Sequence, residues 1–171
     1  DLIPPGGSLD QEADRRMGTL YLPDRKVTML PPNISNKKGS LLPNEDRLSL
    51  SLLVRITKSG DVIGKEVVPS FIRSHLGLSY NDADRAIDDR QHTRHYMLTC
   101  LNQIAQSLRR KRHEAGAISL ESPEMMIKVK DSGEVDVRVV RRTAPARQMV
   151  TDLMILYNVL MAEFCQRHEI P

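Results

Sequence analysis

From Leu48 onward, apolar and polar residues alternate. Leu48, Leu50, Leu52, Val54 and Ile56 are interleaved with Ser49, Ser51, Arg55 and Thr57, the period of a half-buried strand. "KSGD" (58–61) supplies a turn, and "VIGKEVVPSFIRS" (62–74) reads as the returning strand of a hairpin. Pro69 marks an edge or a bulge there, because it cannot donate to a ladder. "SYNDADRAIDD" (79–89) opens a short helix, with Asn81 or Asp82 as its N-cap and acids in its first turn. The period then changes. Leu98, Leu101, Ile104, Ala105 and Leu108 recur at spacings of three and four, predicting a long helix over roughly 95–114. Basic residues in its last turns complement the helix dipole, and Gly116 marks its end.

A second hairpin follows: "MMIKVK", the turn "DSGE", then "VDVRVV". Pro145 is placed near the first turn of a final helix over 146–167. Val150, Leu153, Met154, Tyr157, Leu160, Met161 and Phe164 give that helix a wide apolar stripe. Residues 1–47 are irregular and rich in Pro and Gly, with a short helical candidate over 9–17. Within them, Tyr21 lies among Pro23, Pro31 and Pro32, in a stretch that neither a helix nor a central strand tolerates. Hairpin, helix, hairpin, helix is an α+β pattern rather than a βαβ winding.

The 171 residues suffice for one core of ordinary size; 40% are apolar and 27% charged, a globular composition. No apolar run is long enough for a membrane span, and the opening "DLIPP" carries no signal-peptide pattern. Cys100 and Cys165 are too few for a disulfide framework, so a reducing cytoplasm is the expected setting. The net charge of +3 does not by itself predict nucleic-acid binding. Its distribution says more: "RRKRHE" (109–114) and "RVVRRTAPAR" (138–147) are local basic clusters able to attract phosphate. A solvated helix end is the competing reading of the first.

Other constellations do not amount to sites. Asp82, Asp84, Asp88 and Asp89 share a short predicted helix with Arg85 and Arg90, as an exposed charged face does. His92, His95 and Cys100 lack a clean fourth ligand for zinc. "PPGGS" lacks the Lys-Ser/Thr and the preceding strand of a phosphate loop, and there is no nucleophile elbow. Composition and spacing alone give no active site.

A resemblance supplies what they do not. "YLPDRKVTMLP" (21–31) is similar to a segment of the RNB catalytic domain of the ribonuclease II and ribonuclease R enzymes. The likeness continues in order through "IPPGGSLDQEADRRMGTLYLPDR", "SLLPNEDRLSLSLLVRITKSGDV", "FIRSHLGLSY", "RRKRHEAGAISLESPE" and "ARQMVTDLMILYN". It implies a fragment of an RNB-type catalytic domain with two β-hairpins and two long helices. The implied function is processive 3′→5′ hydrolysis of single-stranded RNA to nucleoside 5′-monophosphates with Mg²⁺. Two cations would activate a water and neutralise the leaving oxygen. Single-stranded RNA is the implied partner, with other RNA-decay proteins as further candidates.

Residue by residue, Tyr21 matches the family tyrosine that stacks on the 3′-terminal nucleotides; a core aromatic is the alternative. Tyr80 matches a tyrosine associated with choosing RNA over DNA, for which a 2′-OH contact is the physical route; a hydrophobic-staple residue is the alternative. Arg141, Arg142 and Arg147 are the candidate phosphate contacts. The chain departs from the family at Leu120, where an aromatic is usual, and at Thr151-Asp152, where many members carry a glutamate pair. Asp152 keeps one carboxylate. The family's catalytic aspartates are expected upstream of "DLIPPGG" and its catalytic arginine downstream of "HEIP", with flanking OB-fold RNA-binding domains also outside. Residues 1–171 thus read as the central part of one RNB domain, inactive alone, with Mg²⁺ held by residues elsewhere. The rival expectation is a non-catalytic RNB-derived scaffold for RNA or protein binding.

Overall fold

The computed structural model describes residues 3–119, 124–130, 132–140 and 143–170. In order come α1 (Ser8–Arg16), β1 (Leu20–Tyr21), β2 (Lys26–Val27), a short π-helix (Asn33–Lys38), β3 (Asp46–Ile56), β4 (Val62–Arg73), α2 (Tyr80–Asp88), α3 (His95–Glu114), β5 (Glu124–Val129), β6 (Val135–Val140) and α4 (Pro145–Arg167). The strands form three two-stranded sheets, β1–β2, β3–β4 and β5–β6. The mixed helix-and-hairpin class matches the expectation. Leu120, Arg141 and Arg142 lie outside the described residues.

Two compact units divide the chain. One comprises Asp1–Leu48, Phe71–Gly77 and Met125–Val140; the other comprises Ser49–Ser70, Leu78–Glu124 and Arg141–Pro171. In the second unit α2, α3 and α4 pack on one another around Ala86, Leu98, Ala105 and Met149, with Ile87, Leu101 and Leu153 alongside. Alanines at the crossing let the helix backbones approach closely. The β3–β4 turn docks on α3. Ser107 Oγ donates to Lys58 O at 3.0 Å, Lys111 Nζ pairs with Asp61, and Gly60 is buried with φ +81°. A Cβ on Gly60 would meet Leu108 Cδ2 at 3.3 Å and Leu108 N at 3.4 Å.

Several expectations are corrected. The irregular reading of residues 1–47 misses the β1–β2 ladder and the π-helix, both too short to register as periodicity. Ser79, rather than Asn81 or Asp82, caps α2: its Oγ accepts from Asp82 N at 3.2 Å. On α4 the covered face is narrower than the apolar stripe. Ala146, Met149, Asp152 and Leu160 are buried, whereas Met154 and Tyr157 are exposed. On β3, Leu52, Val54 and Ile56 are half-buried as expected, but Leu48 is 82% exposed and Leu50 is exposed. Ser49 and Ser51 take the more covered positions instead, and their hydroxyls bond Ser70 Oγ at 2.8 and 2.6 Å. Consecutive half-buried residues, Ser51-Leu52 on β3 and Val67-Val68 on β4, mark where the covered face changes. Successive side chains of a strand point to opposite faces, so β3 is covered on one face up to Ser51 and on the other from Leu52 on.

Candidate nucleic-acid interface

In the first unit, Leu20-Tyr21 and Lys26-Val27 pair antiparallel, with Tyr21 opposite Lys26. Pro23 and Asp24 make the connection, and Leu22 N donates to Arg25 O at 2.8 Å. The hairpin is braced at both ends. At its tip, Val129 N donates to Pro23 O at 3.1 Å. At its base, Met29 N donates to Thr19 Oγ1 at 3.1 Å and Arg16 Nη1 to Thr28 O at 2.9 Å. Arg16 is itself held by Glu12, which also bonds Arg15; the two guanidiniums, Arg15 first, pull the Glu12 carboxyl down to about 2. Pro31 then starts the π-helix, its carbonyl accepting from Ile34 N and Ser35 N. Pro23 and Pro31 therefore close and delimit a small braced hairpin, on which Tyr21 is 74% exposed. The core alternative for Tyr21 does not hold in this chain. Lys26 Nζ sits over that ring, 5.3 Å from its centroid.

In the second unit, Tyr80 is the first residue of α2 and so does not precede the helix as a staple residue would. Tyr80 is 39% exposed, and the Arg147 guanidinium of α4 lies over its ring, 4.3 Å from the centroid. Close by in sequence, Asp84 Oδ1 accepts from Ala146 N at 2.8 Å. Asp84 is thus not part of an exposed acidic face. It supplies the cap that α4 lacks locally, since Ala144 at the N-cap position has no side-chain oxygen. Spacing could not reveal this partner; an uncapped helix start at Ala144-Pro145 was the one signal in the sequence.

Nearly two turns further along α4, Asp152 is 3% exposed. Its Oδ2 accepts from Arg109 Nε at 3.0 Å and Arg109 Nη2 at 2.6 Å, and its Oδ1 from Arg112. Arg109 also bonds Gln148. The basic end of α3 is thus largely spoken for: Arg109 and Arg112 by Asp152, Lys111 by Asp61. Arg110 is exposed. Asp152 acts on these arginines rather than facing solvent, and Thr151 Oγ1 bonds the Arg147 carbonyl at 3.0 Å.

Asp82, Arg85, Asp88, Asp89 and His92 line an open depression of about 630 Å³. Arg85 pairs with Asp82, whose carboxyl is held low by Ser79 first and then Arg85. Asp89 Oδ1 accepts from Gln91 N. The nearby histidines serve the backbone: His92 Nδ1 accepts from Arg94 N, and His95 Nδ1 lies 3.2 Å from Ala86 O. Among the described residues, no group of three or more His, Cys, Asp or Glu converges to hold a metal ion. Their donor set does not fit a magnesium pair.

The family model described as "RNB domain" matches residues 1–171. A ribonuclease R of Thermotoga maritima is 30% identical over 175 residues, covering 99% of this chain and 25% of that protein. The chain thus spans about a quarter of the length of such relatives. Mycoplasma genitalium RNase R, solved in complex with double-stranded RNA, superposes with TM-score 0.87 at 21% identity, over 98% of this chain and 31% of that one. Yeast Ssd1, described as a pseudonuclease, superposes with TM-score 0.72 at 18% identity, over 98% and 21%.

Proposed function

We propose, since this chain belongs to the RNB domain family, that it is the central part of an RNB domain in a processive 3′→5′ exoribonuclease. The substrate is single-stranded RNA and the products are nucleoside 5′-monophosphates. These residues contribute a wall of the RNA path and the stacking ring of Tyr21. The observation that carries the reading is that ring: an exposed aromatic on a hairpin braced by Val129, Thr19 and Arg16. Stacking on an offered ring is how proteins hold single strands without reading their sequence.

Tyr80 is the proposed contact to a ribose 2′-OH. Arg147, together with Arg141 and Arg142, is the proposed phosphate-facing set. Leu120, lacking an aromatic face, would give a weaker hold on the upstream bases. Asp152 works indirectly, by fixing Arg109 and Arg112 where α3 and α4 meet. Mg²⁺ is assigned to carboxylates outside residues 1–171, so no chemical step is assigned to this segment, which is proposed to be inactive alone. Free Cys100 and Cys165 suit a cytoplasmic setting. No described helix is long and apolar enough to cross a membrane. Other RNA-decay proteins are the proposed partners.

The test uses the full natural protein on a 3′-tailed RNA, with and without Mg²⁺. Metal-dependent shortening to monophosphates, slowed by Tyr21→Ala, is the expected result. Binding without shortening would favour the second reading, a non-catalytic RNA-binding or protein-interaction scaffold. The departures at Leu120 and Thr151 favour that reading, and the fold is shared with a protein described as a pseudonuclease.

A further inference from the structure

We infer that Lys26 is a phosphate-binding residue that works as a unit with Tyr21, holding the RNA phosphodiester adjacent to the base stacked on that ring. This rests on the single-strand reading of Tyr21 and adds a residue to it. The register of the β1–β2 ladder puts the two side chains directly opposite each other, so they share one face of the hairpin. The ammonium lies 5.3 Å from the ring centroid and donates to Asn36 Oδ1 at 3.4 Å, a contact from the π-helix.

An ordinary surface lysine is the simplest alternative, and its neighbours show what that looks like. Arg15 and Arg16 are tied to Glu12, and Arg25 lies 4.0 Å from Asp24. Among the described residues no carboxylate lies within ion-pair distance of Lys26, nor of Lys37 or Lys38; what sets Lys26 apart is its place over the Tyr21 ring. Its neighbours are a π face and an amide oxygen, which orient the ammonium without neutralising it. A cation held over one face of an exposed ring leaves the other face for a base. The charge then stands within reach of the backbone that carries that base. A base and its phosphate are linked by one sugar, so a ring and an ammonium a few ångströms apart match the dimensions of a single nucleotide. Stacking alone is indifferent to salt, whereas a phosphate contact is not.

The experiment is the salt dependence of binding of a short fluorescent oligoadenylate to the full natural protein, made without added metal. It compares the parent with Lys26→Gln, Lys26→Arg and Tyr21→Ala. Thermal midpoints of all four report that the hairpin variants remain folded. Lys26→Gln is expected to flatten the plot of log affinity against log salt by about 0.7, the slope per phosphate contact on a single strand. Lys26→Arg should restore the slope, and Tyr21→Ala should lower affinity at every salt concentration with the slope kept. An unchanged slope in Lys26→Gln, with or without weaker binding, overturns the phosphate role. If Tyr21→Ala still weakens binding in that case, the stacking reading survives alone. A flattened slope in Lys26→Gln with Tyr21→Ala binding like the parent would leave Lys26 as a phosphate contact and remove the stacking. A parent protein that does not bind the oligonucleotide overturns both.

Discussion

Asp84 Oδ1 accepts the hydrogen bond of the Ala146 backbone N–H at 2.8 Å, so a side chain of α2 caps the first turn of α4. The same two helices meet again where Arg147 covers Tyr80. Asp84→Ala removes one of these ties. It is expected to cost about 1 kcal/mol, the usual loss of a helix cap, while Asp84→Asn, which keeps an acceptor oxygen, costs less. Denaturant unfolding of the two variants checks the order.

Asp152 is buried and, among the described residues, is bonded by side chains alone. Its replacement by Ala leaves Arg112 without this partner and Arg109 with Gln148, and breaking a buried pair in this way costs up to about 3–5 kcal/mol. Arg112→Ala is expected to cost less, because Arg109 still satisfies the carboxylate. Equal losses in urea unfolding would contradict this division of roles.

Gly60 closes the β3–β4 turn at φ +81° against Leu108. Gly60→Ala meets both a left-handed backbone and a methyl group 3.3 Å from Leu108 Cδ2. The backbone alone costs about 1–2 kcal/mol, so the thermal midpoint should fall measurably. A wild-type midpoint would mean that the turn does not keep this conformation.

The Asp61 carboxyl is lowered to about 2, first by Lys111 and then by Ser59. A carboxylate lowered on folding stabilises the chain above its unfolded pKa, near 4, and that contribution fades as pH falls toward the folded value. The parent should therefore melt above Lys111→Gln at neutral pH. The gap should narrow below about pH 4 and close near pH 2. Because the pair is exposed to solvent, added salt should shrink the gap as well. Melting curves across that range provide the check.

Arg147→Ala, and likewise Arg141→Ala or Arg142→Ala, is expected to lower the salt slope of RNA binding by about 0.7 for each phosphate no longer neutralised. Tyr21→Ala is expected to weaken binding by about 1–3 kcal/mol. Filter binding at several salt concentrations separates the two kinds of loss.

The sequence by itself determined the elements with sustained periodicity. Alternation along β3, the turn that returns the chain into β4, and three-four spacing along α3 and α4 extend over many residues, so these elements are legible to within a residue or two at their ends. Pro23, Pro31 and Pro32 after Tyr21 also rule out a long helix or central strand there, but the exposure of Tyr21 came from the structure. Only the tertiary structure decided which face each element covers and which charges are spent. On β3 the covered face changes at Ser51-Leu52, beside the hydroxyl bonds of Ser49 and Ser51 to Ser70, and what covers each face depends on the rest of the fold. Asp152, Asp84 and Lys111 each find partners dozens of residues away. One sequence of charges is compatible with both a solvated helix end and a neutralised one, and the difference lies in which helices cross. Lys26 is a further case: nothing in the sequence separates it from Lys37 or Lys38, and only the ladder sets it over Tyr21.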